Sequence, residues 1–283
     1  MKVLVLGSRS GAGLASQRTQ GSVALSADGE RWLLLNASPD LGEQIRANPA
    51  LQPRGQGDTP IHAVVLMDAH VEHVAGLLSL RDGPPIDIYA TPCVFDDLSN
   101  GLPLPQTLQH YCGVRWHMVA VAGETRVAGF RVAGFESLCF TAIATHGPAP
   151  AYATHRTEAT VGANIALYVE DSVSGQSLFY SPGPASVGDE VLDWMREADC
   201  LLLDATLEAR ADADMAPLAD EAEGRAGTMS PTMIDLLNRL PCRKVLAHLR
   251  PGSLPTEADA PDARDELSRH GFEIAHDGME IVL

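Results

Sequence analysis

A short segment of the sequence, residues 68–73, carries side chains that can bind a metal ion. They are Asp68, His70, Glu72 and His73. The segment follows residues 63–66 after a single residue, Met67, and this apolar run is typical of a buried β-strand. Imidazole and carboxylate groups bind zinc, iron or manganese, and α/β proteins often place chemistry at strand ends. The segment therefore predicts a metal site, and a solvated turn with incidental charges is the alternative.

The spacing within this segment indicates which side chains face the same way. In extended backbone, residues i and i+2 point to the same side, so Asp68, His70 and Glu72 are expected to face one cavity. His73 is expected to approach from the start of the following helix. Two or three histidines with one carboxylate and open positions are typical of non-haem Fe(II), whereas a closed set of four ligands would indicate zinc.

Polar residues also end other apolar runs of the sequence. His146, Asp204 and His248 each follow such a run, and a sandwich of two sheets would bring these strand ends to one edge. For each histidine outside residues 68–73, an ordinary hydrogen-bonded structural role is the alternative. The predicted metal ligands are Asp68, His70, Glu72, His73, His146, Asp204 and His248. The predicted catalytic carboxylates are Asp68, Glu72 and Asp204.

Two further basic residues are candidates for substrate binding. Arg18 and His155 could each contact an anionic group, and solvated surface charge is the alternative reading.

The elements that must position these residues are mostly strands with a few helices between them. This pattern predicts an α/β (α+β) fold, a four-layer αββα sandwich, rather than a doubly wound parallel sheet in which helices and strands alternate regularly. We expect one domain over residues 1–283, with an acidic, alanine-rich mobile loop at 209–230. Local signals predict a helix from Ser38 to Asn48 with Ser38 as its N-cap, a helix beginning at Val74, and a strand at 131–134.

Composition excludes some classes of function. The 283 residues include 20 Lys+Arg and 37 Asp+Glu, and the resulting net charge of -17 disfavours nucleic acid and anionic membranes. The 5 cysteines form no Cys-x-x-Cys pair, which indicates reduced thiols in a reducing compartment. No apolar run reaches the length of a membrane span, so a cytoplasmic protein without membrane insertion is expected.

Several passages together resemble a known family. Residues 68–73 are similar to the His-x-His-x-Asp-His motif of the metallo-β-lactamase fold, with Asp68 in place of its first His and Glu72 in place of its Asp. Within that superfamily the chain resembles the pyrroloquinoline quinone (PQQ) synthesis protein B family. The passages that carry the resemblance are residues 18–24, 26–40, 47–49, 108–114, 198–204 and 276–281. The cysteine-rich insertion usual in the family is missing before Arg18, so its structural zinc knuckle is expected to be absent.

The resemblance implies an iron-dependent oxygenase of PQQ synthesis. It would use molecular oxygen to hydroxylate the tyrosine ring of a small, peptide-derived precursor in which Glu and Tyr are cross-linked. Fe(II) is the expected metal, with zinc or manganese as alternatives. Two other functions stay open: metal-dependent hydrolysis, the commonest chemistry of the fold, and non-catalytic assistance in transporting PQQ or its precursor to the periplasm. The oligomeric state is open, with a homodimer as one option.

Overall fold

The structure is a computed structural model. It describes residues 1–8, 18–55, 58–154, 156, 160–183, 186–204, 208–209, 231–247, 267–269 and 271–283. Most of the predicted loop at 209–230, and the predicted site residues His155 and His248, lie outside the described residues.

The strands of one sheet are mostly supplied by the first half of the chain. They are β1 (Lys2–Gly7), β2 (Ser22–Ser26), β3 (Trp32–Leu35), β4 (Ile61–Val65), β5 (Ile86–Ala90), β6 (Val114–Met118) and, from the end of the chain, β16 (Met279–Val282). They form a 7-stranded sheet in the order β16-β1-β2-β3-β4-β5-β6. Strands β3 to β6 run parallel to one another.

The second half of the chain supplies the other sheet. Its strands are β7 (Val127–Phe130), β8 (Leu138–Thr145), β9 (Asn164–Asp171), β10 (Ser177–Ser181), β12 (Cys200–Asp204), β14 (Arg243–Ala247) and β15 (Phe272–Ile274). They form a 7-stranded sheet in the order β15-β14-β12-β10-β9-β8-β7. The short strands β11 (Ser186–Val187) and β13 (Glu208–Ala209) pair separately.

Helices cover the outer faces of both sheets. They are α1 (Leu41–Ala47), α2 (Val71–Val74), α3 (Pro92–Asp96), α4 (Leu104–Leu108), α5 (Asp189–Glu197) and α6 (Pro231–Asn238). A 3₁₀ helix, Ala75–Leu80, continues α2, and a π-helical turn, Asp97–Gly101, continues α3.

Alternate side chains of the strands enter different apolar layers, which explains why both faces of the strands are apolar. In β1, Val3 and Val5 pack between the two sheets with residues such as Leu202, while Leu4 packs outwards under the helices with Val74. A third layer lies between the second sheet and helices α5 and α6. Burying each such side chain contributes about 1.5–3 kcal/mol. The order helix, sheet, sheet, helix confirms the predicted αββα sandwich.

Polar strand ends meet at one edge of this sandwich, which we call the site edge. Strands β10, β12, β14 and β15 are parallel, so their last residues share an edge. The two sheets join there, because the backbone N–H of Ile165 in β9 donates to the carbonyl oxygen of Met67 after β4, at 2.9 Å. This contact places the end of β4 beside the second sheet.

Local details differ from the sequence predictions at three places. Helix α1 begins at Leu41 rather than at Ser38, whose backbone N–H instead donates to Ser22 Oγ at 2.8 Å. Helix α2 begins at Val71, before the predicted start at Val74. The predicted strand at 131–134 is wrong, because β7 ends at Phe130 and Gly134 has a left-handed φ of 86°.

All five cysteines are free thiols, as predicted. Among the described residues, no helix is both long enough and apolar enough to cross a membrane.

Candidate metal centre

The backbone of residues 68–73 is held by the turn that follows β3. Asn36 has a left-handed φ of 63°, and its side-chain Oδ1 accepts a hydrogen bond from the N–H of Met67 at 2.9 Å. The next residue, Ala37, donates its N–H to the carbonyl oxygen of His73 at 2.7 Å. The turn therefore fixes both ends of the segment before any metal is bound.

Asp68 and His73 form a close carboxylate–imidazole pair. His73 Nδ1 lies 2.8 Å from Asp68 Oδ1 and 2.7 Å from Oδ2, and the side chains are 13% and 4% exposed. Because the ionised carboxylate can only accept, Nδ1 carries the hydrogen. In such pairs the metal is bound through the other ring nitrogen, here Nε2, and the carboxylate orients the ring.

The charges of this pair shift both pKa values. Burial is the largest influence on Asp68 and opposes ionisation, but the charge and hydrogen bond of His73 outweigh it and lower the pKa of Asp68. Burial also opposes protonation of His73, yet Asp68, followed by Glu72 and Asp204, raises the His73 pKa above its ordinary value. Without a metal, the pair is therefore stabilised in its ionised form.

His70 is held by two hydrogen bonds next to this pair. Its N–H donates to Asp68 Oδ1 at 2.9 Å, and its Nε2 lies 3.2 Å from the carbonyl oxygen of Pro148. A carbonyl oxygen only accepts, so Nε2 carries the hydrogen and Nδ1 is the nitrogen with the chemistry of a ligand.

Asp204 lies at the end of β12, as its position after an apolar run predicts. It is 1% exposed, and its register partner on β14 is Ala247, the residue directly before His248. The fully buried Tyr180 of β10 is close to the same carboxylates: burial, and then the charges of Asp68 and Asp204, raise its pKa well above the ordinary value. The site edge therefore holds the buried carboxyl groups of Asp68 and Asp204 together with the buried phenol of Tyr180.

Other predicted residues lie at the same edge but outside this buried group. His146 follows β8 and is exposed, with its Nε2 3.4 Å from Arg126 Nη2. Arg18 donates from Nη1 to the carbonyl oxygen of Ala275, which follows β15, at 3.3 Å. Glu72 is exposed on α2, where the helix replaces the extended backbone that the i, i+2 argument assumed.

The predicted ligand set is only partly assembled by the described residues. Within them, no group of three or more His, Cys, Asp or Glu side chains is arranged to hold a metal ion. Asp68, His70 and His73 are adjacent, while His248 lies outside the described residues. The complete ligand set, and the substrate-binding roles of Arg18 and His155, stay predictions.

Two tyrosines of the site edge are missing from the sequence predictions. Tyr152 donates from its hydroxyl to the carbonyl oxygen of Ala69, between Asp68 and His70, and Tyr180 is described above. Tyr180 belongs to an apolar strand and has the sequence signature of a core residue. Tyr152 belongs to a proline-rich loop without a motif, so no local signal identifies either one.

The donor chemistry of the adjacent residues fits a divalent metal. A histidine oriented by a buried carboxylate and a second histidine oriented by a backbone carbonyl are typical of imidazole ligands.

Comparison with known proteins decides the family. The Beta-lactamase superfamily domain matches residues 31–249. Coenzyme PQQ synthesis protein B of Pseudomonas aeruginosa (strain UCBPP-PA14) is 43% identical over 284 residues, covering 98% of this chain and 92% of that protein. The chain belongs to the coenzyme PQQ synthesis protein B family. The family protein of Methylococcus capsulatus (strain Bath) is 41% identical over 276 residues, covering 95% of this chain and 89% of that protein.

A crystal structure from the same family supports the architecture. Zn²⁺-bound PqqB from Methylobacterium extorquens is 30% identical, with a TM-score of 0.79 and 100% of each chain covered. The family resemblance and the metallo-β-lactamase fold expected from the sequence are thereby confirmed for this member of the coenzyme PQQ synthesis protein B family.

Proposed function

We propose that the chain acts in PQQ synthesis as a metal-dependent oxygenase that hydroxylates the tyrosine ring of a cross-linked Glu–Tyr precursor. The observation that carries the proposal is the buried Asp68–His73 pair beside His70, at the edge where the two sheets meet. Imidazole and carboxylate ligands with open positions suit non-haem Fe(II). The family membership supplies the pathway.

Each residue at the site would have its own role. His73 and His70 would hold the metal, with Asp204, His146, Glu72 and His248 as further candidate ligands. Asp68 would keep the hydrogen on His73 Nδ1. When bound, Fe(II) supplies the one-electron chemistry that lets oxygen react with an aromatic ring.

The remaining groups would handle the substrate. Asp204 is a buried carboxylate at the same edge and would accept the proton released from the ring. Arg18 lies at that edge and would bind a carboxylate of the precursor, a contact that Arg makes through its planar fork.

Oxygen consumption tests this proposal. Protein purified without oxygen and loaded with Fe(II) is mixed with a tyrosine-containing precursor peptide, oxygen and ascorbate. We expect oxygen uptake that depends on the peptide, and a product that is heavier than the peptide by one oxygen atom. The second oxygen atom leaves as water, with two electrons and two protons from ascorbate. Absence of uptake with intact, iron-loaded protein would contradict the proposal.

Hydrolysis is the second candidate, favoured by the number of acidic groups at the site edge. Asp68 and Asp204 are both buried there, and with the histidines they offer ligands for two ions, which activate water in many enzymes of this kind. Turnover of ester or phosphodiester substrates by the zinc-loaded protein, without oxygen uptake, would support this alternative. A metal-free protein that binds the quinone tightly would instead support a carrier.

A further inference from the structure

The loop of residues 147–154 contacts the metal-binding segment from the other sheet. The hydroxyl of Tyr152 donates to the carbonyl oxygen of Ala69, a residue that is fully buried between Asp68 and His70. The carbonyl oxygen of Pro148 accepts from His70 Nε2 at 3.2 Å. The 147–154 loop therefore bonds both to the backbone of the segment and to one of its candidate ligands.

A buried ion pair anchors the chain just beyond this loop. Arg156 pairs through Nη2 with Asp97, and the two side chains are 10% and 0% exposed. Arg156 also donates from Nη1 to the thiol sulfur of Cys93 on α3. Removing one partner would leave the other charge buried and unpaired, so the contact keeps residue 156 close to Asp97.

Shape complementarity holds Tyr152 itself. A Cβ atom at Gly101 would lie 2.6 Å from Cδ2 of the Tyr152 ring, so the ring can approach the π-helical turn only because residue 101 is glycine. The ring position in turn fixes where the hydroxyl points.

A second donor fixes the Pro148 carbonyl. Asn164, the first residue of β9, donates from Nδ2 to the same oxygen at 3.2 Å. Gly147 is close as well, since a Cβ there would lie 2.8 Å from Asn164 Cγ. The carbonyl is therefore held in place before His70 donates to it.

We propose that Tyr152 and the Arg156–Asp97 pair are positioning residues that hold Pro148 against His70, so that His70 binds metal through Nδ1. Donation from Nε2 to a carbonyl fixes the tautomer, since the hydrogen stays on Nε2 and the lone pair on Nδ1. The inference rests on the proposed function, because it takes His70 as a metal ligand.

Cobalt binding tests the proposal without measuring catalysis. Metal-stripped wild-type protein, Tyr152→Phe and Asn164→Ala are titrated with Co²⁺ against a chelator, and the visible spectrum of bound cobalt is recorded. Tyr152→Phe keeps the ring and removes only the hydroxyl. We expect it to weaken Co²⁺ binding about tenfold, the usual cost of losing a partner that orients a ligand, and to alter the spectrum. Asn164→Ala should also weaken Co²⁺ binding.

Two further variants separate positioning from general destabilisation. Tyr111→Phe removes a hydroxyl from a ring that is 63% exposed, and it should bind cobalt like the wild type. Arg156→Lys keeps the charge but loses the planar fork, so its affinity should fall between those of the wild type and Tyr152→Phe. Hydrogen exchange of residues 147–154 should speed up in Tyr152→Phe at an unchanged melting temperature.

The outcomes distinguish this proposal from the proposed function. If both Tyr152→Phe and Asn164→Ala bind Co²⁺ with wild-type affinity and an unchanged spectrum, the positioning role is overturned. The proposed metal centre would not be affected by this result. Full cobalt binding by His70→Ala would overturn it as well, because His70 would then not be a ligand. A wild-type protein that binds no Co²⁺ would overturn the proposed function and, with it, this inference.

Discussion

The two ends of strand β4 offer two very different environments. At its carboxyl end, Asp68, His70 and His73 are held by hydrogen bonds to one another and to the turn after β3. At its amino end, a groove of about 630 Å³ opens between α1, the Ala75–Leu80 3₁₀ helix and the starts of β4 and β5. The groove contains a histidine, His62, which is exposed.

The two ends of β4 differ in the chemistry of the side chains that surround them. The groove is lined by aliphatic and proline residues such as Leu51 and Pro85, and by the exposed residues Asp58 and Asp82. The carboxyl end has buried ionisable groups whose pKa values are shifted by one another, which is typical of functional sites. We therefore propose that the chemistry takes place at the carboxyl end rather than in the groove.

The largest stability effect is expected at Gly76, which lies behind residues 68–73, the predicted metal-binding segment. A Cβ there would lie 2.0 Å from the carbonyl oxygen of Ser38 and 2.8 Å from that of Ala37, and Ala37 also bonds to His73. Gly76→Ala should lower the free energy of unfolding by about 3 kcal/mol, because backbone must move. Gly55→Ala beside the groove, where the added methyl meets nothing within 4 Å, is the control. Equal urea midpoints for both variants would contradict the comparison.

A smaller loss is expected at Asp277, which closes the site edge near Arg18. Its Oδ1 accepts from the N–H and hydroxyl of Ser8 at 2.9 and 2.8 Å, and its Oδ2 from those of Thr19 at 2.6 and 2.9 Å. Asp277→Ala should cost about 2 kcal/mol, because charge-assisted bonds are lost. Asp82→Ala at the groove, where the side chain is 80% exposed, should stay within about 0.5 kcal/mol in the same urea titration. Equal losses of unfolding free energy in the two variants would show that the hydrogen bonds of Asp277 do not stabilise the site edge.

The pH dependence of the metal-free protein should report the Asp68–His73 pair. The pKa of Asp68 is lowered from 3.8, so its contribution is present above pH 3.8 and is lost as pH falls through the folded value. The pKa of His73 is raised from 6.5, so its contribution is full below pH 6.5 and is lost as pH rises through the folded value. The difference in stability between wild type and the less stable Asp68→Asn should therefore be largest between pH 3.8 and 6.5. A difference that does not vary with pH in chelator-treated samples would exclude the ionised pair.

The smallest effect is expected for His62→Ala. The side chain is exposed at the groove, so its removal should change the free energy of unfolding by less than about 0.5 kcal/mol and leave metal content unchanged. A marked loss of bound metal in this variant would show that the groove, rather than the carboxyl end of β4, carries the centre.

The shared edge of the site was predictable from the sequence because buried parallel strands are apolar on both faces. The apolar runs before Asp68, Asp204 and His248 identify such strands, and parallel strands end at one edge. In the structure, Asp204 pairs with Ala247, the residue before His248, and the hydrogen bond from the N–H of Ile165 to the carbonyl oxygen of Met67 brings the end of β4 to the same edge.

The finer arrangement of the site was not predictable from local signals. The contact between His70 and Pro148 joins residues 78 positions apart, and it depends on how the two sheets pack. Glu72 is exposed because α2 begins at Val71, which ends the alternation of an extended segment. Ser38 has the sequence of an N-cap, but the tertiary hydrogen bond from its N–H to Ser22 Oγ sets its position instead.

The central claim is that the carboxyl end of β4 holds a redox-active metal through His73. Its most direct test is the iron content and peptide-dependent oxygen uptake of wild type, His73→Ala and His62→Ala, purified without oxygen and offered Fe²⁺ and Zn²⁺ equally. We expect bound iron and oxygen uptake in wild type and His62→Ala, and loss of both in His73→Ala. Full metal occupancy and uptake in His73→Ala, or tightly held zinc without oxygen uptake in the wild type, would contradict it.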